Sequence, residues 1–177
     1  MKKTIVAVLG AGALGAAIAA RLGDTGHEVK LWNRTPDRAR AAAAASTAVT
    51  AVAEVTDAVK DAAVVFTVLR DGDAVAEVMT TAIDAVDAGA VWVQASTVGP
   101  DSARTLAELA GRHGVAYLDA PVSGSTGPAR NGTLVWLVSG GQDAFNLAAP
   151  TLQLLGSAVE HLGTGVEEQL SGSGADT

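Results

Sequence analysis

The chain has 177 residues, no cysteine and a formal net charge of −7. This length suits one domain with a sizeable core, the acidic balance without a basic cluster argues against nucleic acid as a partner, and the lack of cysteine excludes disulfides and thiolate chemistry. The histidines at 27, 113 and 161 lie far apart without ligand spacing, so no metal site is expected.

The N-terminal segment predicts a strand, a glycine-rich turn, a helix and a second strand. The apolar run Ile5–Leu9 meets Gly10, Gly12 and Gly15 in the spacing G-x-G-x-x-G, and a second apolar run, Val29–Trp32, follows. In such a unit the first glycine permits a sharp turn, the second lets backbone approach a pyrophosphate, and the third lets the helix pack closely. The pattern predicts a dinucleotide site; the alternative is a tight strand–helix turn without a ligand.

The residues after the second strand indicate which dinucleotide is bound. NAD-binding versions of this unit place an acid there for the ribose 2′-hydroxyl, and NADP-binding versions place an arginine for the 2′-phosphate. This chain has Asn33, Arg34 and Thr35 at that place, without a carboxylate, which predicts NADP. The alternative is a solvated Arg34 with Thr35 capping the helix that starts at Pro36, and Thr35 could serve both purposes.

The N-terminus also has features of a secretory signal peptide, because Lys2 and Lys3 precede an apolar stretch and the small residues Ala17-Ile18-Ala19. Cleavage there would remove the first strand and the glycine cluster. We therefore predict that the N-terminus is retained and that the protein is cytoplasmic. Apolar runs long and glycine-free enough for a membrane span are missing from the sequence, so a membrane partner is not expected.

Beyond Thr35 the sequence predicts helices and strands in alternation. The predicted helices are Pro36–Ala45, Glu54–Asp61, Ala74–Ala85, Asp101–Arg112 and Asp143–Leu155, the last kinked or split by Pro150. The predicted strands are Thr47–Ala53, Val64–Leu69, Val91–Ala95, Val115–Asp119, Thr133–Ser139 and Ala158–Leu162, with a turn at Arg130-Asn131-Gly132. This order predicts an α/β fold with a doubly wound, mainly parallel sheet over residues 1–163, followed by a flexible tail over 164–177.

Ligands of such folds bind outside the carboxyl ends of the strands. We therefore expect five segments to meet at one crevice, namely Gly10–Gly15, Asn33–Thr35, Leu69–Asp71, Ser96–Thr97 and Asp119–Ser125. Asp119 is expected there as a carboxylate with an ordinary pKa.

Several motifs then occur in a fixed order: G-A-G-A-L-G with G-H-E-V-K-L-W-N-R-T, V-F-T-V-L-R-D-G-D-A-V, A-S-T-V-G-P, D-A-P-V-S-G-S and G-T-L-V-W-L-V-S-G-G. This set resembles the β-hydroxyacid dehydrogenases, a family that includes 3-hydroxyisobutyrate dehydrogenase, glyoxylate/succinic-semialdehyde reductases and 6-phosphogluconate dehydrogenase, with imine reductases as close relatives. The resemblance covers nearly all of the chain from Thr4 to Gly163. It implies a Rossmann-like domain of an NADP-dependent oxidoreductase that transfers hydride to or from a small β-hydroxyacid, semialdehyde or imine.

The resemblance also implies roles for individual residues in binding the cofactor. The pyrophosphate would be held by Gly10, Gly12, Ala13, Leu14 and Gly15, the adenosine 2′-phosphate by Asn33, Arg34 and Thr35, the ribose and adenine side by Leu69 and Arg70, and the nicotinamide ribose by Thr97. The substrate carboxylate would be held by Ser123, Gly124 and Ser125, largely through backbone N–H groups. Without the resemblance, that last segment would be interpreted as an ordinary surface turn.

The sequence departs from the family pattern in two places. Ser125 stands where the family usually has glycine. The match that begins at Gly163-Thr164-Gly165 fails where the family has a helix with a catalytic lysine and a nearby asparagine, and we expect the family's all-helical second domain to be absent. The catalytic residue is therefore unknown, because the lysines of this chain are Lys2, Lys3, Lys30 and Lys60.

Three functions remain open from the sequence. They are the NADP-binding domain of an oxidoreductase, a non-catalytic dinucleotide-binding module, and an engineered or truncated fragment that lacks the catalytic lysine. The expected ligand besides the cofactor is a small carboxylate or imine. Self-association into a homo-oligomer is also expected, because loss of the helical domain would expose apolar surface.

Overall fold

The computed structural model describes residues 3–123 and 125–163, which form one nine-stranded sheet with helices on both faces. The strands are β1 (Ile5–Leu9), β2 (Glu28–Trp32), β3 (Val49–Ala51), β4 (Val64–Thr67), β5 (Val91–Gln94), β6 (Ala116–Asp119), β7 (Val122–Ser123), β8 (Leu134–Ser139) and β9 (Gly156–Gly163). The helices are α1 (Ala13–Asp24), α2 (Pro36–Ala43), α3 (Val55–Val59), α4 (Gly72–Ala82), α5 (Pro100–Arg112), α6 (Thr126–Asn131) and α7 (Gln142–Leu155), and a 3₁₀ turn, Ile83–Ala85, follows α4.

The sheet has the order β3-β2-β1-β4-β5-β6-β8-β7, with β9 also paired to β8. The strands from β3 to β6 are all parallel. Strand β8 runs antiparallel to β6 and β7, and β9 is parallel to β8. The chain leaves β1 toward β2 on one side and later returns to β4 on the other. The carboxyl ends of β1, β2 and β4 therefore flank a crevice at this reversal of strand order.

The core lies in two layers, one on each face of the sheet, because successive residues of a strand point to opposite faces. Val6 and Val8 of β1 pack in the layer that holds α1 and α7, and Ala7 and Leu9 pack in the layer that holds α3, α4 and α5. Strand β1 is thus buried on both faces and reads as a continuous apolar run, as a central parallel strand should.

The predicted α/β fold with a doubly wound, mainly parallel sheet is confirmed, and three local predictions need correction. Helix α7 runs from Gln142 to Leu155 through Pro150, whose side chain is exposed, so the predicted split is wrong. The predicted turn at 130–132 is the end of α6, with Gly132 in the left-handed conformation (φ +71°) as its C-cap. The short strand β7 was not expected.

One face of the β8–β9 pair carries exposed apolar side chains. Val135 and Leu137 alternate with buried residues of β8 and so point away from the core, and Leu162 of β9 is also exposed. This agrees with the expected apolar surface, whereas self-association itself remains a prediction.

Within residues 3–123 and 125–163, every helix is too short or too polar to cross a membrane, and His, Asp and Glu side chains are not grouped as a metal site would require. The predicted tail over 164–177 lies outside the described residues.

Candidate functional site

A cavity of about 670 Å³ opens at the carboxyl ends of the parallel strands, within the size range of about 300–1,000 Å³ that is usual for ligand sites. It collects residues from four of the predicted segments and one residue, Val122, from the fifth. Its lining is Gly12, Ala13, Leu14, Gly15, Trp32, Asn33, Arg34, Arg38, Val68, Leu69, Arg70, Ala74, Val78, Ala95, Ser96, Thr97 and Val122. Gly10 and Thr35, also predicted to bind cofactor, are not among the residues that line it.

The three glycines of the loop between β1 and α1 are constrained in different ways. Gly10 has φ +121°, and a Cβ there would lie 2.1 Å from the Val68 carbonyl oxygen. A Cβ on Gly15 would lie 2.0 Å from the Gly10 carbonyl oxygen, so α1 packs directly on the loop. Around Gly12, by contrast, a Cβ would meet no heavy atom of the described residues within 4 Å. Gly12 therefore leaves open space on the cavity side, where a ligand can approach the backbone.

The N-terminus of α1 faces this open space and has the properties of an anion site. The first N–H groups of a helix have no partner within the helix and lie at the positive end of its dipole. Gly12 is the N-cap and has no side chain to occupy these donors, and the first turn of α1 carries no acidic residue. A pyrophosphate fits this environment in charge, in hydrogen-bond donors and in space.

Asn33 fixes the glycine loop against the end of β2. Its side-chain oxygen accepts from the Ala11 N–H at 2.9 Å, and its side-chain nitrogen donates to the Thr35 carbonyl at 3.0 Å. The Gly10 N–H also donates to the Trp32 carbonyl at 2.8 Å. Asn33 thus holds the backbone that would contact phosphate, in addition to its place in the cavity wall.

Positive charge collects at the β2 side of the cavity. Arg34 and Arg38 line this side, Arg70 lines the cavity beyond the end of β4, and no carboxylate of residues 3–123 and 125–163 is part of the lining. Arg34 forms an ion pair with Glu77 of α4 at 2.8 Å, with both side chains well exposed (60% and 69%). A pair this exposed is weak, typically worth about 0–1 kcal/mol, so an incoming phosphate can compete for the guanidinium.

Thr35 lies beside this positive region as an exposed residue. It is the N-cap of α2, but its hydroxyl makes no capping hydrogen bond. Its hydroxyl is therefore available to a phosphate held by the neighbouring arginines.

The opposite side of the cavity rests on a buried set of polar side chains at the ends of β4 and β5. Thr67 and Gln94 are fully buried and Ser96 nearly so. The Ser96 hydroxyl accepts from the Leu69 N–H at 2.8 Å and donates to the Thr67 carbonyl at 3.1 Å. This arrangement fixes Leu69 and Ser96 in the wall and leaves Thr97 exposed beside them.

The predicted substrate segment 123–125 is only partly described. Gly124 lies outside the described residues, Ser123 ends β7, and Ser125 is an exposed residue before α6. Val122, just before it, reaches the cavity. The assignment of Ser123, Gly124 and Ser125 to a substrate carboxylate therefore remains a prediction.

The expectation of an ordinary pKa for Asp119 is wrong. Burial at the end of β6 raises the pKa of this carboxyl to about 6, with a smaller opposing effect from its hydrogen bond to Gln94. Burial, together with the charge of Asp119, also raises the pKa of the Tyr117 hydroxyl. Asp119 is not among the residues that line the cavity.

Two residues of this region were not predicted as site residues, although the sequence contains a signal for each of them. Arg38 lies in the first turn of α2, close in sequence to Arg34, and both line the cavity. Gln94 ends an otherwise apolar buried strand, where a polar side chain requires partners. The ion pair between Arg34 and Glu77 had no sequence signal, because the two residues are far apart in the chain.

Known proteins that resemble this chain have the same domain. The family pattern described as the NAD binding domain of 6-phosphogluconate dehydrogenase matches residues 5–163. The 3-hydroxyisobutyrate dehydrogenase of Pseudomonas aeruginosa is 32% identical over 168 residues, which cover 90% of this chain and 54% of that protein.

Two solved structures extend the comparison. The 3-hydroxyisobutyrate dehydrogenase of Mycobacterium tuberculosis, solved with L-serine, aligns with a TM-score of 0.88 at 32% identity, over 99% of this chain and 60% of that one. The imine reductase of Streptomyces aurantiacus aligns with a TM-score of 0.84 at 29% identity, over 96% of this chain and 61% of that one. The chain thus spans a little more than half the length of these relatives. Because the family pattern covers nearly all of the described residues, the chain belongs to the family of NAD(P)-binding domains of 6-phosphogluconate dehydrogenase and related oxidoreductases.

Proposed function

We propose that this chain is the NADP(H)-binding domain of an oxidoreductase that transfers hydride between nicotinamide and a small β-hydroxyacid, semialdehyde or imine. The choice of NADP rests on one observation: Arg34 and Arg38 line the β2 side of the cavity, and no carboxylate of the described residues does. A ribose 2′-phosphate needs cationic partners, whereas a free 2′-hydroxyl is usually held by an acid at this place.

Each part of the cavity has a separate task in this proposal. The N-terminus of α1 binds the pyrophosphate, with Gly12 giving access to the backbone. Arg34 and Arg38 bind the 2′-phosphate, and Asn33 holds the loop. Leu69 and Arg70 flank the ribose and adenine side, and Ser96 and Thr97 form the wall for the nicotinamide half of the cofactor, which supplies hydride chemistry when bound.

The substrate class is proposed from the relatives and from the chemistry of the segment 123–125. A turn rich in glycine and serine can direct successive N–H groups at a carboxylate. The Mycobacterium tuberculosis relative was solved with L-serine, itself a small β-hydroxy acid. We therefore place a small carboxylate-bearing or imine substrate next to Val122, at the nicotinamide side of the cavity.

Catalysis by the 177-residue chain alone is expected to be close to background. The resemblance assigns proton transfer to a lysine that has no counterpart after Lys60 in this sequence, and a positioned acid or base contributes about 10²–10⁴-fold. If the purified chain reduced succinic semialdehyde, glyoxylate or a cyclic imine with NADPH at about 1 s⁻¹ or faster, the argument from the missing lysine would be wrong. Ser96, Ser123 and Asp119 would then be the first groups to test.

Calorimetric titration of NADP⁺ and NAD⁺ tests the cofactor assignment. A charge-assisted contact contributes about 1.5–3 kcal/mol, or roughly ten- to hundredfold in affinity, and competition from Glu77 places the expected preference for NADP⁺ near tenfold. Arg34→Ala should remove most of this preference. Arg104→Ala is the matched control, because Arg104 is also a surface arginine in an ion pair, with Asp101 of α5. Equal affinities for the two cofactors in the unmodified chain would refute the assignment.

A further inference from the structure

We propose that Gln94 is a positioning residue for the nicotinamide half of the cofactor. The proposal rests on the proposed function, since it concerns how the same cavity holds a dinucleotide. Gln94 lies at the end of β5 and is fully buried. It is not among the residues that line the cavity, and so it acts through the backbone of its neighbours.

All four hydrogen-bonding positions of the Gln94 amide are used. Its oxygen accepts from the Thr67 hydroxyl at 3.2 Å and from the Ser96 N–H at 2.8 Å. Its nitrogen donates to the Ser96 carbonyl at 2.8 Å and, over a longer 3.5 Å, to Asp119. Both backbone groups of Ser96 are therefore held by one side chain.

Partners that can only donate, or only accept, determine which end of the Gln94 amide is the oxygen and which is the nitrogen. The Trp92 indole N–H can only donate, and it donates to the Thr67 hydroxyl at 3.0 Å. The hydroxyl hydrogen of Thr67 is then free to be donated to the Gln94 oxygen. A carboxylate at position 94 would instead face the Ser96 carbonyl and Asp119 with negative charge, so an amide satisfies these partners and a carboxylate does not.

The segments held in this way lie beyond the ends of the regular strands. Strand β4 ends at Thr67 and β5 at Gln94. The Ser96 hydroxyl joins the two segments by accepting from the Leu69 N–H and donating to the Thr67 carbonyl. Gln94 fixes both backbone groups of Ser96, so one buried amide orders the wall formed by residues 95–97.

This wall lies on the side of the phosphate loop away from the arginines of β2 and α2. A dinucleotide whose pyrophosphate rests on α1 must place its adenosine half toward the arginines and its nicotinamide half toward Ser96 and Thr97. Loss of the amide should therefore weaken binding of the whole dinucleotide while leaving binding of the adenosine half unchanged.

The test compares NADP⁺ with 2′,5′-ADP, which contains the adenosine half alone, by calorimetric titration of the 177-residue chain. Gln94→Met keeps the length of the side chain but removes both polar groups, and Gln94→Glu keeps its shape but removes both N–H donors. We expect the Kd for NADP⁺ to rise about five- to tenfold in each variant, as loss of one or two buried hydrogen bonds implies. The Kd for 2′,5′-ADP should stay within about twofold.

Ser157→Ala is the matched control, because the Ser157 hydroxyl also donates to a backbone carbonyl, that of Thr133, but lies on β9. If Gln94 had only a structural role, its replacement would weaken the binding of both ligands, or would lower the melting temperature without changing either Kd. Either result would overturn the proposal. If Gln94→Met does not fold, Gln94→Glu decides the question by the same ratio. Failure of the unmodified chain to bind either ligand would instead refute the proposed function, and the positioning role with it.

Discussion

Alanine at Gly12 and at Gly15 should separate ligand binding from folding, although the two glycines are three residues apart in the same loop. The Cβ of an alanine at position 15 would collide with the backbone of Gly10, whereas the Cβ of an alanine at position 12 would enter the open space that we assign to the pyrophosphate. We therefore expect Gly15→Ala to lower stability and Gly12→Ala to lower cofactor affinity at nearly unchanged stability.

The cost at Gly15 follows from the contact distance. An added Cβ would lie 2.0 Å from the Gly10 carbonyl oxygen, whereas real Cβ atoms are not found closer than 3.0 Å, so α1 or the loop must move by about 1 Å. Overpacking of this kind costs about 1–3 kcal/mol. Because the obstacle is a backbone carbonyl, which cannot rotate away as a side chain can, we expect Gly15→Ala to cost near the upper end, about 3 kcal/mol. For a domain of this size that lowers the melting temperature by about 6–12 °C.

Gly12 has a backbone conformation that alanine adopts without strain, with φ −67° and ψ −178°. Its replacement costs the N-cap preference of glycine over alanine, which is at most about 1 kcal/mol. The added methyl group, however, projects into the space beside the first turn of α1. We expect the Kd for NADP⁺ to rise at least about tenfold, equivalent to 1.4 kcal/mol.

Scanning calorimetry without cofactor and titration calorimetry with NADP⁺ measure the two effects separately. Gly111→Ala is the control, because Gly111 lies in α5, is exposed and has open space around its Cβ position. It should be neutral or stabilising by about 0.5–1 kcal/mol. The reasoning would be refuted if Gly12→Ala melted as low as Gly15→Ala, or if Gly12→Ala bound NADP⁺ with unchanged affinity.

Three further predictions concern charge and processing. Burial raises the pKa of Asp119 in the folded state from its ordinary 3.8 to about 6, so the folded state holds this proton more tightly than the unfolded state. The free energy of unfolding should therefore fall as the pH rises from about 4 to 6, by at most about 3 kcal/mol. Asp119→Asn should remove this loss and melt higher than the unmodified chain at pH 7.5, and an unchanged pH dependence in calorimetry would contradict the role of burial. Added salt should reduce the affinity for NADP⁺ more than that for NAD⁺, because the additional phosphate meets exposed arginines; a constant affinity ratio in titrations at low and high ionic strength would argue against that contact. The chain isolated from its host should retain β1, because loss of Ile5–Leu9 would remove the central strand of the parallel sheet. An intact mass that corresponds to a chain starting near Ala20 would refute the retention of β1 and the cytoplasmic prediction.

The fold could be predicted because its signals are local and repeated. The strands Val64–Thr67 and Val91–Gln94 are apolar except for their last residue and are buried on both faces, and such runs identify parallel strands without knowledge of their neighbours. Pro150 misled the prediction because its side chain is exposed on α7, whose buried residues Ala148, Thr151 and Leu152 hold the helix against the sheet on either side of it. Tertiary packing there outweighs the local cost of one missing hydrogen bond.

The site could be predicted where it depends on backbone, and less well where it depends on side-chain partners. The spacing of Gly10, Gly12 and Gly15 encodes the shape of the loop, and the structure gives each glycine a distinct steric reason. The raised pKa of Asp119 depends on how deeply β6 is buried, which no stretch of sequence shows. The pairing of Arg34 with Glu77 depends on the approach of α4 to the end of β2, and this is a property of the assembled fold.

The position of Trp32 allows its intrinsic fluorescence to report ligand binding. Of the three tryptophans, Trp92 and Trp136 are fully buried in the core, whereas Trp32 ends β2 and lines the cavity. A ligand that fills only the adenosine side should change the surroundings of Trp32 alone and shift its fluorescence. Reduced nicotinamide absorbs where indole emits, and it should quench all three by energy transfer. The two signals together would distinguish, without any label, a ligand that fills only the adenosine side from a reduced dinucleotide.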